Sequence, residues 1–424
     1  MMNEYPVIII GAGPIGLAAA AQLSERNVPF EIVEAGPTPA ANIQTWKHVQ
    51  LFSPWKYNID AAASRLLLAA GWAPPEADVL PKGADLINEY LQPLAELPAI
   101  APHLHFNHQV VAISREHIDK VKSTQRARTP FIVRYNHEGK EGELKAKAVI
   151  DAAGTWNQPN PVGANGLPAL GETNPTLPIT YTIPDITGTE RSYYEHNNVL
   201  VVGSGHSAMH SILSLLEINS SRKVMWAVRK EKLNDVFGGG EDDALPERGS
   251  IGLQLKELVD QGKVEVFHPF YIKRIVREHE KFTVIGENAG EIAEIKEIDQ
   301  IIANTGARPD FSYLRELRVE AESAIESVPA LAPLIDPNVH SCGTVPAHGA
   351  KELAQPEPNF YIVGAKSYGR APTFLLATGY EQVRSVAAVL AEDHEAAERT
   401  ELNLPSTGVC QANRLSVTEK SSCC

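Results

Sequence analysis

An α/β fold of two three-layer units, one inserted into the other, is predicted by three features of this 424-residue sequence. Two segments, VIIIGAGPIGLAAA from Val7 and VLVVGSGHSA from Val199, each join an apolar run to a glycine turn and a helix-forming run. A third, NFYIVGAKSYGRAPTFLLATGYEQVRSVAAVL from Asn359, supplies another strand, glycine turn and helix. Such strand–turn–helix units build Rossmann-like parallel sheets. The third reads as a return of the chain to the first unit once the second is complete.

In the first copy Val7 to Ile10 reads as a buried strand, and Gly11, Gly13 and Gly16 supply a G-x-G-x-x-G turn with Pro14 inside it. Glycine is required there so that backbone N–H groups at a helix N-terminus can approach a diphosphate. The following strand, Phe30, Ile32 and Val33, ends in Glu34, placed to accept the hydroxyls of an adenosine ribose. A single such match is weak, because a glycine turn can serve only to pack a helix on a sheet. The strand and acid in the right places favour a dinucleotide site.

The second copy keeps Gly203 and Gly205, puts Ala208 in the third glycine's place and carries His206 and Ser207 in its turn. Its next strand, Val224 to Val228, ends in Arg229 and Lys230 rather than an acid. Cations there suit the 2′-phosphate of NADP. Each charge-assisted contact is worth roughly 1.5–3 kcal/mol, so the pair would favour NADPH over NADH. Two solvated basic residues at a strand end are the alternative.

Composition bounds the rest. The length suits two or three domains, and 43% hydrophobic residues supply ample cores. A formal charge of −14 argues against nucleic acid or an anionic membrane as partner and leaves a small-molecule substrate. The apolar stretch from Val7 to Leu23 lacks a basic start, contains the glycine turn and is too short to span a bilayer. The expectation is a soluble cytoplasmic protein, with oligomeric state left open. Three of the four cysteines, Cys410, Cys423 and Cys424, crowd the last fifteen positions, which is no disulfide framework.

Along the chain, Ala35 to Pro130 is an aromatic and Pro-rich insertion. It holds an Ala/Leu helix from Ala61 to Ala70 and a second from Pro81 to Leu97, whose Leu86, Ile87, Tyr90, Leu91 and Leu94 share a face. Alternating segments follow at Val110 to Ile113 and Phe131 to Tyr135, then KAVIDAAGTW to Trp156. Pro159 to Pro184 reads as a linker, and the sequence from about Glu392 as a charged, Ser/Thr-rich disordered tail. The expected division is a first domain over 1–190 and 331–398, a second over 191–330, and a tail over 399–424.

Carried by GAGPIG with Glu34, DAAG at Gly154, GSGHSA with Arg229, NTGARPD at Asn304 to Asp310 and YIVG at Tyr361 to Gly364, the chain resembles flavoproteins with two dinucleotide-binding domains. That group includes flavin-containing monooxygenases, amino-acid N-hydroxylases and the thioredoxin and mercuric reductases. It is also similar to bacterial FAD-dependent oxidoreductases encoded beside arsenic-resistance genes. The resemblance implies FAD at Gly11, Gly13, Pro14, Gly16 and Glu34, with Trp46 and Gly364 contributing. It implies NADPH at Gly203, Gly205, His206, Ser207, Arg229 and Lys230, and places Gly154 and Gly306 at the two crossings between domains.

The pattern also departs from that group. Only Trp46 survives of the monooxygenases' G-G-x-W segment, and their linker fingerprint lacks its histidine here. No C-x-x-C or C-x-x-x-x-C pair exists for disulfide reduction. The Gly-Asp expected after the last strand is replaced by Gly364-Ala365-Lys366, so that Lys366 or Arg370 becomes a candidate contact to diphosphate or flavin.

Cys342 and His348, six residues apart, form a candidate catalytic thiol–imidazole pair; a buried structural cysteine beside a surface histidine is the alternative. Cys410, Cys423 and Cys424 are candidate ligands for a thiophile such as arsenite, against a solvated tail with incidental thiols. Glu241, Asp242 and Asp243 read as a solvated loop rather than a metal site. Trp55 and Tyr57 belong either to a substrate pocket or to the core.

The functional expectation is an FAD-dependent, NADPH-using oxidoreductase of the monooxygenase type, acting on a small nucleophilic substrate. The alternatives are a reductase of a thiol-bound or metalloid substrate and a flavin-binding redox sensor with little turnover.

Overall fold

The computed structural model describes residues 4–218, 222–238, 240, 246–338, 345–372 and 374–402. The first glycine unit becomes the centre of a five-stranded sheet ordered Phe360–Ile362, Ala148–Asp151, Val7–Ile10, Phe30–Val33, Leu104–His105. Every pairing in it is parallel. Its inner strands are continuous apolar runs because helices cover one face and a second sheet the other.

The helix Pro14–Glu25 and the returning helix Leu376–Leu390 pack together on one face. Gly379 permits this, since a Cβ there would stand 2.5 Å from the Ile15 side chain. An antiparallel meander, His108–Arg115, Phe131–His137 and Lys140–Ala146, forms the third layer. Its Phe131 and Val133 are fully buried in the same core.

The second unit repeats the design. Its sheet is ordered Glu265–Phe267, Val224–Ala227, Val199–Val202, Gln300–Ala303, Ile179–Thr180, again all parallel. A second meander, Phe270–Glu278, Lys281–Asn288 and Glu291–Ile298, lies against it. Sequence reading did not separate these three strands. Their signal is the pair of tight turns at His279 and at Ala289-Gly290, all with positive φ.

Two expected boundaries move. Ile179–Thr180 is an edge strand of the second sheet, and Val162 and Ala169 are buried in its core, so the second unit begins near residue 160 rather than 191. The supposed linker 159–184 is part of that unit. Glu172 is buried within it, accepting from the N–H groups of Val162 at 2.8 Å and Ala169 at 2.6 Å and from the Tyr181 hydroxyl at 2.6 Å. At the other end, Leu314, Leu317, Ile325, Val328 and Ile335 are buried in the first core, so the return precedes residue 331. Pro-rich composition disguises the first segment and charged composition the second, because side-chain acceptors satisfy much of their backbone where ladders do not.

The two insertion helices form as expected. Asp60 caps Ala61–Ala69 by accepting from the Ala63 N–H at 2.9 Å. The second helix runs through Gly83–Asp85, Leu86–Leu91 and Gln92–Ala95, the middle segment wound to i→i+5 spacing. Its predicted face is buried. Trp55 is 2% exposed and belongs to the core. No helix among the described residues is long and apolar enough to cross a membrane.

Asp60 is buried, and desolvation pushes its carboxyl up to about 6 despite the donors at Ala63 and Gln22. Its folded value lies above the unfolded one, so the folded state favours the proton. Stability is therefore lost as pH rises from about 4 to about 6 and stays level above. Asp60→Asn keeps an oxygen for the cap and removes this titration. Urea unfolding at pH 4.5 and 7.5 should show the variant gaining on the parent by about 2 kcal/mol between the two conditions. A pH-independent difference would mean that Asp60 is already charged in the fold at low pH.

Candidate functional site

At the first turn the three glycines have three different duties. Gly11 has φ +96°, and a Cβ there would lie 2.9 Å from the Ala152 carbonyl oxygen. Gly16 has no room, since its Cβ would stand 1.9 Å from the Gly11 oxygen. Gly13 instead faces space with no atom within 4 Å. Close packing explains the outer two, whereas the middle one leaves a cradle that only an outside group fills. Pro14 opens the helix Pro14–Glu25, where its missing N–H costs nothing.

Glu34 is locked over the turn, accepting from the Ala12 N–H at 2.7 Å through Oε2 and from the Gly36 N–H at 2.7 Å through Oε1. A cavity of about 320 Å³ runs from Gly11 and Glu34 past His108 and Gly154 to Tyr313 and Lys366. These walls fit the adenosine diphosphate half of a dinucleotide.

The second turn repeats the logic. Gly203 has φ +135°, and a Cβ there would stand 2.2 Å from the Asn304 oxygen, while Gly205 is open. Ala208 is fully buried where the third glycine would pack. The helix His206–Glu217 starts at this turn and aims its N-terminus at a cleft of about 660 Å³. Gly203, Gly205, Ser207 and Arg229 line that cleft, as does Arg370 from the first unit.

Arg229 is exposed and donates to the Ala164 carbonyl at 2.8 Å, which holds its guanidinium at the cleft wall. Lys230 points elsewhere, donating to the Asp235 carbonyl at 2.9 Å. Of the two predicted cations, the structure therefore brings one to the site.

The chain crosses between units twice, and the crossings are bonded to each other. The Asn160 N–H donates to the Gly306 carbonyl at 2.9 Å and the Arg308 N–H to the Gln158 carbonyl at 2.9 Å. Gly154, with φ +70°, and Gly306, with φ +82°, lie beside this pairing.

Between the units lies a chamber of about 430 Å³. Trp46, Phe52, Trp156 and Phe374 wall it from one side, and His206 and His210 from the other. The Phe52 ring packs edge-on to His206 at 5.2 Å and stacks with His210 at 5.6 Å. His210 follows His206 by one helical turn, so both project from one face. Its Nε2 and that of His48 are buried without a hydrogen-bond partner. Burial, helped by His48, pushes the His210 imidazole below its ordinary value, so it is neutral near pH 7. Sequence reading missed His48 and His210; the i, i+4 histidine pair on the second fingerprint's helix was the available signal.

His348 is not at this chamber. It is 3% exposed, and both ring nitrogens are engaged, Nδ1 with the Pro346 carbonyl at 3.1 Å and Nε2 with the Gln382 amide at 2.9 Å. Gln382 in turn accepts from the Gly364 N–H at 2.7 Å and donates to Ser367 at 2.9 Å. His348 thus braces the turn after the last strand, and the catalytic expectation for it is withdrawn. Gly364 itself, with φ +68°, is buried against Ile15, 3.1 Å from where its Cβ would stand, so its duty is packing. Cys342, Cys410, Cys423, Cys424, Glu241, Asp242 and Asp243 lie outside the described residues. Among the described residues no group of three or more His, Cys, Asp or Glu could hold a metal.

Two open glycine cradles, each at a helix N-terminus, on two units joined by a double crossing, define a flavoprotein with two dinucleotide-binding units. More particularly, the chain belongs to the pyridine nucleotide-disulphide oxidoreductase family, whose profile matches residues 8–341. It is an FAD- and NAD(P)H-dependent oxidoreductase.

It is similar to the ferredoxin–NADP reductase of Thermus thermophilus, 22% identical over 355 residues that cover 82% of this chain and 87% of the relative. In fold it is similar to the bacillithiol disulfide reductase Bdr (YpdA) of Bacillus cereus, with a TM-score of 0.68, 18% identity and coverage of 92% of this chain and 99% of that one. It also resembles the cadaverine monooxygenase DfoA of Erwinia amylovora, solved with FAD, with a TM-score of 0.62, 13% identity and coverage of 99% of both chains.

The glycine duties make opposite predictions. Gly13→Val is expected to fold normally yet lose its flavin on gel filtration, because the side chain takes the diphosphate's place; the lost backbone contacts are worth at least roughly 1.5–3 kcal/mol. Gly16→Val should instead fail as a folding mutant, with a lower Tm even in excess FAD. Equal flavin content in Gly13→Val and the parent would show that the cradle holds something else.

Proposed function

We propose that this protein is an NADPH-using flavin monooxygenase that acts on a small nucleophilic substrate in the chamber between its units. The observation that carries the reading is the chamber itself. Its walls are aromatic, it carries imidazoles from the nucleotide-binding helix, and it shares Ser207, Pro372 and Phe374 with the NADPH cleft. A disulfide reductase needs a redox-active thiol in that place, and the sequence has no C-x-x-C or C-x-x-x-x-C pair.

FAD, held at the Gly13 cradle and by Glu34, would supply the redox chemistry between NADPH and oxygen. The protein's own part is positional. The turn at Gly203 and Gly205 and the N-terminus of His206–Glu217 hold the diphosphate of NADPH, and Arg229 selects its 2′-phosphate. Trp46, Phe52 and Trp156 exclude water from the chamber, which strengthens every polar contact inside it. Neutral His210 offers a buried acceptor to a substrate N–H, O–H or S–H and takes up its proton as the heteroatom reacts.

A second reading is favoured by one observation, the similarity to ferredoxin–NADP reductases along most of the chain. In it the same NADPH and FAD sites feed an external electron acceptor, a thiol-bound or metalloid compound among them, and the chamber is only a contact region.

Anaerobic stopped-flow reduction tests the first half-reaction. NADPH should reduce the flavin at lower concentration than NADH, and Arg229→Ala should narrow that preference by about tenfold or more, as for one lost phosphate contact. Equal dependence on the two nucleotides in the parent protein would rule out the assignment of Arg229.

In air, incorporation of labelled dioxygen into product supports the oxygenase. Acceptor reduction with no oxygen incorporated supports the reductase instead. His210→Phe keeps the stacking on Phe52 and is expected to leave FAD and NADPH affinities unchanged while lowering kcat/KM by about tenfold to a hundredfold. An unchanged kcat/KM would place the chemistry away from the chamber.

A further inference from the structure

The turn after the strand Phe360–Ile362 carries two cations in different settings. Lys366 has no exposed side-chain surface, and its ammonium donates to Asp151 Oδ2 at 2.7 Å and to the Tyr313 hydroxyl oxygen at 2.5 Å. Arg370 is exposed, and among the described residues no hydrogen bond or ion pair engages its guanidinium. Its backbone is nonetheless fixed. The Arg370 N–H donates to the Ile325 carbonyl at 2.7 Å, and the Val328 N–H donates to the Ser367 carbonyl at 2.9 Å. Gly369, with φ +61°, is pressed so closely on the same segment that a Cβ there would stand 2.1 Å from the Ile325 oxygen.

The cleft that Arg370 lines is the one built on the open cradle of Gly205 and the N-terminus of His206–Glu217. Arg229 lines it from the second unit and Arg370 from the first. Among the described residues no aspartate or glutamate lines it, in a chain whose formal charge is −14. A wall with two cations, a helix N-terminus and no acid suits a ligand with more than one anionic centre. NADPH has two, the 2′-phosphate and the diphosphate.

The two arginines enter the cleft at different places. Arg229 follows the strand Val224–Ala227 and is held by the Ala164 carbonyl at 2.8 Å, a strand-end position that suits the 2′-phosphate. Arg370 closely precedes Pro372 and Phe374, which border both the cleft and the chamber, so it comes in from the chamber side. We propose that Arg370 reaches across from the first unit to the diphosphate of NADPH, which the Gly205 turn holds from the second. The proposal rests on the assignment of this cleft to NADPH. A guanidinium fork can bond two phosphate oxygens at once. The nucleotide then becomes a link between the units, one molecule held by backbone N–H groups of the second and a cation of the first.

The test uses the full chain loaded with FAD and titrated calorimetrically with NADP+, 2′-phospho-ADP-ribose and adenosine 2′-phosphate. The second ligand lacks the nicotinamide, and the third lacks the diphosphate as well. Because the Arg370 side chain is exposed, Arg370→Met should keep the parent's Tm and FAD content. It should bind NADP+ and 2′-phospho-ADP-ribose about tenfold more weakly, as for one lost charge-assisted contact, with adenosine 2′-phosphate unchanged. Arg370→Lys keeps the charge without the fork and should fall between the two. Arg229→Met should instead weaken all three ligands.

Any of three results would overturn the proposal. Arg370→Met binding NADP+ within about twofold of the parent would give the guanidinium no part in the site. Equal weakening of adenosine 2′-phosphate would move it to the 2′-phosphate. An unchanged affinity for 2′-phospho-ADP-ribose beside a weakened one for NADP+ would move it to the nicotinamide. If neither arginine variant changed any affinity, the assignment of the cleft to NADPH would fall as well, whereas losses confined to Arg229→Met would overturn the role of Arg370 alone.

Discussion

Both nucleotide sites depend on one short hydrogen-bonded pairing, the antiparallel contact between the two crossings at residues 158–160 and 305–308. Backbone bonds from Asn160 to Gly306 and from Arg308 to Gln158 are reinforced by side chains, Asn160 Nδ2 donating to the Thr305 carbonyl at 3.2 Å and the Thr305 hydroxyl to the Asn160 carbonyl. A unit inserted through one strand could swivel freely; two crossings bonded together restrict it to rotation about their common line. Asn160, Thr305 and Gly306 of the pairing themselves line the NADPH cleft, so the bonds that join the units also shape that site's wall. Glycine at 154 and 306 suits the sharp turns next to the pairing, since φ values of +70° and +82° lie in the left-handed region that glycine enters at no steric cost.

Much of this was legible in the sequence, for a physical reason. A strand buried on both faces must be continuously apolar, and a diphosphate turn must be glycine, so Val7–Ile10, Val199–Val202 and the two turns declare themselves without reference to anything distant. Even the placement of Arg229 followed from counting one strand onward. What the sequence hid were groups whose role arises only from tertiary contact. Glu172 looks like a solvated acid in a Pro-rich linker, yet it is buried and satisfies two backbone amides and a tyrosine. His348 looks reactive beside a cysteine, yet Gln382, 34 residues later, occupies its Nε2. Lys230 shares Arg229's charge and neighbourhood and differs only in which carbonyl it reaches.

The same limitation explains the buried charges of the first unit. Glu357 accepts from Arg115 Nε at 2.8 Å, from Arg126 Nη2 at 2.7 Å and from the Arg318 N–H at 3.0 Å, with no exposed surface on its side chain or that of Arg115. Arg115 also stacks on Phe131, 3.5 Å from the ring centroid. One carboxylate thereby joins the meander, the segment returning from the second unit and the approach to the last strand. Nothing local to Glu357 announces this, since its partners lie up to 242 residues away. Such a group stabilises little by itself once desolvation is counted. Its directional bonds do fix where the returning segment enters, and hence where the last strand meets the first sheet.

That entry point decides how much of the active region the first unit contributes. The last strand delivers Lys366 toward the adenosine cavity, Arg370 toward the NADPH cleft and Phe374 to the wall shared with the chamber, within nine residues of one turn. The second unit delivers His206, Ser207 and His210 from the first two turns of a single helix. Two short segments, one from each unit, therefore supply side chains to both the chamber and the NADPH cleft. The NADPH cleft is thus built by both units, Arg370, Pro372 and Phe374 of the first standing across from Gly203, Gly205 and Arg229 of the second, so the site of the second nucleotide depends on how the two units are held together.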